Sequence, residues 1–164
     1  MQRSAFFIGF LLLAAVGLHA ARGDLFLDLG AGTMIQERGR QPAMAGNMGF
    51  HYGANDWTQL SLGVDYGRFL SYGGSHQVDL TGVSVASYLT PYPGDIEPLI
   101  GAHFGMTRVD ETWRVDLGLE AQALANLHDR FQGYVAVDPG IWLGEGAPEI
   151  WVKLGLGIRV RLGY

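Results

Sequence analysis

Cysteine is absent from this 164-residue chain, lysine occurs once, at Lys153, and only 16% of the residues are charged. Without cysteine there is no disulfide framework and no thiolate metal site, so the fold must hold by its own chain pairing. So little charge argues against an ordinary soluble surface, which carries roughly a quarter to a third of Lys, Arg, Glu and Asp. Long apolar runs are also missing beyond the N-terminus, where no stretch reaches the roughly 18 residues that mark a membrane-spanning helix. Bases are outnumbered 11 to 16 by acids. That balance removes the cationic footprint of a nucleic-acid binder, so no nucleic-acid partner is expected.

What is present begins with Arg3 and an apolar run over residues 5–18, followed by the small residues Ala20, Ala21 and Gly23. The run is shorter than the roughly 20 residues of a spanning helix and has the outline of a secretory signal peptide. The expected organisation is a signal peptide at 1–23, cut between about 20 and 23, and one mature domain at 24–164. Removal of 1–23 takes away Arg3 and Arg22 and no acid, which makes the domain more acidic still. Glycine is abundant, at 25 residues, with no collagen period. That pattern fits crowded backbones and tight bends.

The last sixteen residues carry the strongest pattern. Leu154, Leu156, Ile158, Val160, Leu162 and Tyr164 alternate with Lys153, Gly155, Gly157, Arg159, Arg161 and Gly163. A period of two places successive side chains on opposite faces of a strand, here one apolar face and one small or cationic face. Similar segments fall at about 24–34, 43–53, 57–69, 76–89, 96–107, 113–127 and 130–142. In the fourth, Val78 and Leu80 lie on one parity and Val83, Val85 and Leu89 on the other, which predicts a bulge near Thr81-Gly82. In the sixth, a short amphipathic helix over Leu119–Leu127 competes with the strand.

Eight strands, each long enough to cross lipid when tilted, predict an all-β fold: a closed, antiparallel, up-and-down transmembrane barrel. Connections 54–56, 90–95 and 128–129 then face the periplasm, and 35–42, 70–75, 108–112 and 143–148 face outward. On strand position, Tyr52, Trp57, Tyr88, Tyr92, Phe131 and Tyr164 are expected in a periplasmic aromatic girdle. Tyr66, Phe69, Tyr72, Trp113, Trp142 and Trp151 are expected in an outer one.

These features resemble the small OmpA-like and OmpX-like eight-stranded outer-membrane barrels of Gram-negative cell envelopes, over residues 24–164. The resemblance implies that Leu156, Ile158, Val160, Leu162 and Tyr164 form the signal read by the barrel-assembly machinery, although the family favours a terminal Phe. A monomer in contact with outer-membrane lipid and lipopolysaccharide is expected, and Glu37-Arg38-Gly39-Arg40 and Trp113 are candidate contacts for lipopolysaccharide or a host ligand. The second, peptidoglycan-gripping domain of some members is not expected.

A barrel of eight strands is just wide enough for its own side chains to fill. On the inward parity, Asp28, Asp65, Asp79, Asp116 and Glu120 face Lys153, Arg159 and Arg161, which predicts a paired lumen network. Gly30, Gly32, Gly63, Gly67, Gly155 and Gly157 make room for it. No cofactor, metal or catalytic residue is expected. The histidines lack HExxH spacing, there is no GxSxG elbow, and the His-x-Ser pair of barrel-shaped lipid A deacylases is absent. His103 points inward toward Asp116 or Glu120 as a structural histidine. The favoured function is a structural or surface-interacting outer-membrane barrel with a side-chain-filled lumen and at most narrow, porin-like solute passage. The alternative is a soluble periplasmic lipocalin-like carrier whose apolar residues line a cavity.

Overall fold

The computed structural model is a closed barrel of eight antiparallel strands in sequence order. They are β1 (Leu25–Gln36), β2 (Ala43–Gly53), β3 (Thr58–Tyr72), β4 (His76–Leu89), β5 (Ile96–Val109), β6 (Thr112–His128), β7 (Phe131–Leu143) and β8 (Glu149–Gly163). The structure describes residues 24–37, 42–72, 76–91, 94–144 and 146–163. The expected signal peptide lies outside them, as do Arg38 and Arg40. β1 pairs with β8 from Leu25↔Gly163 to Gln36↔Trp151, so the first and last strands close the seam and no edge is left unpaired.

Alternation decides what faces where. In β1, Phe26, Asp28, Met34 and Gln36 are buried, while Leu25, Leu29 and Ile35 are exposed. In β8, Trp151 and Arg159 point in and Leu154, Leu156 and Ile158 point out. Leu156 is 66% exposed, Leu119 64% and Val135 60%, values that no water-soluble surface of this extent tolerates. The ionisable groups lie inside and the hydrocarbon outside. This overturns the lipocalin-like alternative, which needs the opposite polarity.

β4 departs from expectation. Its register runs without interruption through Thr81 and Gly82 against both β3 and β5, so the predicted bulge is absent. Val78 and Leu80 share the inward parity of Gly82, Ala86 and Tyr88. They are accommodated because the interior near the end opposite the termini contains an apolar layer: Met34, Ala43, Phe69, Val78, Leu80, Val109, Trp142 and Trp151 pack there as one cluster. The competing helix at 119–127 does not form, and β6 continues as a strand to His128. Its pairing with β7 runs to Gly118↔Gly140 and resumes at Ala121↔Val137, around Pro139, which has no N–H to donate.

Inward glycines make space for large neighbours. A side chain at Gly157 or Gly30 would collide with the Tyr134 phenol, and one at Gly140 with the Trp151 indole. Small residues on β1, β7 and β8 are therefore what allow two bulky rings into a narrow tube.

Candidate functional site: the barrel interior

Two ionic layers lie between the strands. Nearer the terminal end, Arg159 of β8 reaches Asp28 of β1 with its fork: Nε donates to Oδ1 and Nη2 to Oδ2, both at 2.7 Å. Both residues are only 1% exposed. The remaining guanidinium donors reach Gln59 Oε1 and Gln122 Oε1 at 3.2 Å. His51 Nε2 lies 3.0 Å from the second oxygen of Asp28, and the Phe26 ring lies 5.8 Å from the guanidinium carbon. Gln122 donates to Glu120 Oε1 at 2.9 Å, and Tyr88 donates to Glu120 Oε2 at 2.5 Å. A buried charge is tolerable when its partners are this complete.

The second layer centres on Lys153, whose Nζ sits 3.0 Å from Asp65 Oδ1 and 3.2 Å from Asp138 Oδ2. His103 lies between Asp138 and Asp116, with ring nitrogens 3.5 and 3.6 Å from their carboxylates, and its ring stacks on Trp151. Thr107 donates to Asp116 Oδ2 at 2.7 Å, and Asn47 donates to the Tyr134 hydroxyl at 3.1 Å. Towards the far end, Arg114 pairs with Glu149, which also accepts a hydrogen bond from Gln36. A cavity of about 60 Å³ borders both layers and the apolar cluster, with Asp28, His51, Asp138, Lys153, Leu80 and Trp151 among its lining. That is room for a few water molecules.

Of the residues expected in the lumen, Asp28, Asp65, Asp116, Glu120, Lys153 and Arg159 face inward with the partners given above. Arg161 is partly exposed at the terminal mouth, its guanidinium over Phe26 at 5.4 Å. Asp79 is a correction: it lies on the outward parity of β4 and pairs at 2.6 Å with Arg68 on the barrel's outer face, both side chains about half exposed. Sequence reasoning left out His51, Arg114, Gln122, Asp138 and Glu149. All five stand on the inward parity of their strands, and parity is the signal that finds them.

The aromatic assignments divide similarly. Tyr52, Trp57 and Phe131 stand on the outside near the terminal end, and Tyr66 and Trp113 on the outside near the other. Tyr88, Trp142 and Trp151 belong to no girdle: they are 4%, 1% and 2% exposed and fill the interior, as does Phe69. Tyr92 and Tyr164 lie outside the described residues, as does the side chain of Tyr72. Leu156, Ile158, Val160 and Leu162 form the outward face of β8. Among the described residues no group of His, Asp and Glu is arranged to hold a metal ion.

No protein-family model and no curated protein matches the chain. Solved structures do. Neisserial surface protein A superposes with a TM-score of 0.69 at 11% identity, covering 85% of this chain and 96% of that one. The outer membrane protein OprG from Pseudomonas aeruginosa gives 0.61 at 12% identity, covering 88% and 98%. The N-terminal β-barrel domain of Pseudomonas aeruginosa OprF gives 0.51 at 16%, covering 84% and 99%. At these identities the likeness is one of fold. That fold, with hydrocarbon side chains outside and an ionic interior, makes the chain an integral β-barrel of the bacterial outer membrane.

Proposed function

We propose that this protein is a non-enzymatic structural and surface-interacting barrel whose lumen is shut by its own side chains. The observation that carries this is the stack across the tube: the Arg159–Asp28 layer, the Lys153 layer, then the apolar cluster containing Phe69, Trp142 and Trp151. A hydrated ion or sugar finds no continuous path through such a stack, and paired charges hold their neighbours in register. His103 is a member of the ionic layer, set between two aspartates and against Trp151. No serine nucleophile lies in a motif that would use it.

The apolar face of β8 is the element offered to the barrel-assembly machinery, and lipid of the outer membrane is the principal contact of the exterior. The purified chain, reconstituted in planar bilayers, is expected to give no stable ohmic channel and no uptake of small sugars by vesicles. Steady single-channel steps with sugar passage would refute a shut lumen. Trp142→Ala combined with Trp151→Ala thins the apolar layer and is expected to raise ion leakage above that of the unaltered protein.

A further inference from the structure

One arc of the outer wall differs from the rest. Tyr66 of β3 pairs with Thr81 of β4, Thr81 with Arg108 of β5, and Arg108 with Trp113 of β6, so four neighbouring strands set one unbroken outward row. At about 4.8 Å per strand the row is roughly 14 Å wide. All four side chains are exposed. One step towards the termini the row becomes Val64, Val83, Met106 and Val115, and the next is Leu62, Val85, Phe104 and Leu117. A line of polar and aromatic groups therefore stands directly above two full lines of hydrocarbon.

Among the described residues, Arg68 and Arg108 are the only cations on strands that point outward. Arg68 is held by Asp79 at 2.6 Å, whereas Arg108 makes no ion pair or hydrogen bond with a described side chain. Asp110 and Glu111 form the turn immediately beyond. On β1, β2, β7 and β8 the described outward strand residues near the same end are apolar apart from Thr33, with no aromatic ring and no cation among them. A guanidinium with no partner among the described residues, at the boundary of an apolar wall, suits an anion whose own body is apolar.

We propose that the β3–β6 wall docks a phosphate-bearing lipid of the outer leaflet. Its headgroup phosphate sits on Arg108 between Thr81 and Trp113, and its acyl chains lie along the Val64–Val83–Met106–Val115 and Leu62–Val85–Phe104–Leu117 rows. This rests on the reading that the terminal end faces the periplasm and deepens it by naming a partner.

The test uses the full barrel folded in detergent and native mass spectrometry with three lipids: bisphosphorylated lipid A, the same lipid with its phosphates removed, and phosphatidylglycerol. The expected result is retention of bisphosphorylated lipid A, loss of retention on dephosphorylation, and weaker retention of phosphatidylglycerol. Arg108→Gln is expected to weaken binding roughly tenfold, as for loss of one charge-assisted contact, with Arg108→Lys in between. Heat-modifiable migration of each variant reports folding independently. Equal retention of the dephosphorylated lipid, equal retention of phosphatidylglycerol, or a folded Arg108→Gln barrel that binds as tightly as the unaltered one, overturns the site. A chain that neither folds in detergent nor enters vesicles overturns the membrane-barrel reading instead.

Discussion

Arg159 holds both oxygens of Asp28 while also reaching Gln59 and Gln122, and it does so fully buried. Arg159→Ala strands the Asp28 carboxylate and is expected to cost about 3–5 kcal/mol, read as a lower urea midpoint for unfolding from vesicles. Arg159→Lys keeps the charge but loses the planar fork, and should fall between. The exposed Arg68–Asp79 pair is the control: Arg68→Ala should leave the midpoint unchanged, since solvent screens both members. The contrast between these two pairs was partly legible in the sequence. Parity and opposite sign pointed to Asp28 and Arg159 facing the same lumen. A bulge at Thr81-Gly82 would set Val83 and Val85 on the same side as Val78 and turn Asp79 inward; the uninterrupted register of β4 leaves Asp79 outside. Asp138 was passed over although it shares parity with Tyr134. Trp142 and Trp151 show the same failure: distance along a strand gives height in the membrane, but only parity gives the side, and both stand on the inward one.

At the scale of the strand, β8 is read twice over, once from each face. Leu156 lies midway along it, opposite Ala31 of β1 and Val135 of β7, and faces the membrane. Leu156→Arg is expected to destabilise the inserted barrel by about 2–4 kcal/mol, measured by the same titration. Gly157, one residue on, faces inward against the Tyr134 ring. Gly157→Val should cost about 1–3 kcal/mol by overpacking, and Tyr134→Ala in the same chain should recover part of that loss. Strand number and most boundaries were visible from period-two alternation. The bounds of β4 were among them, but its phase was not, because Val78 and Leu80 are out of place in a lumen that is polar along its whole length. Once an apolar layer near one end is admitted, Val78 and Leu80 need no change of phase. The helix pattern at 119–127 failed for a related reason: alternating small and polar residues suit a strand whose two neighbours complete its hydrogen bonds, whatever its isolated preference.

At the scale of the whole molecule, the barrel pairs every neighbour in sequence and then joins its two ends. Seven of the eight interfaces are local hairpins, while the eighth, between β1 and β8, spans more than a hundred residues of chain. Intact folding should appear as one cooperative transition with heat-modifiable electrophoretic migration, and substitutions at the seam should slow folding more than equal substitutions within a hairpin, measured by the time course of the migration shift. Gly32, which meets the β8 backbone at Leu154 and Gly155, is such a position. The seam also governs timing. Asp28 acquires its guanidinium partner only when β8 arrives, so until the final strand docks, the half-built sheet holds an unneutralised carboxylate and two open borders, and a ribosome-bound or half-exported chain has no native state to fall into.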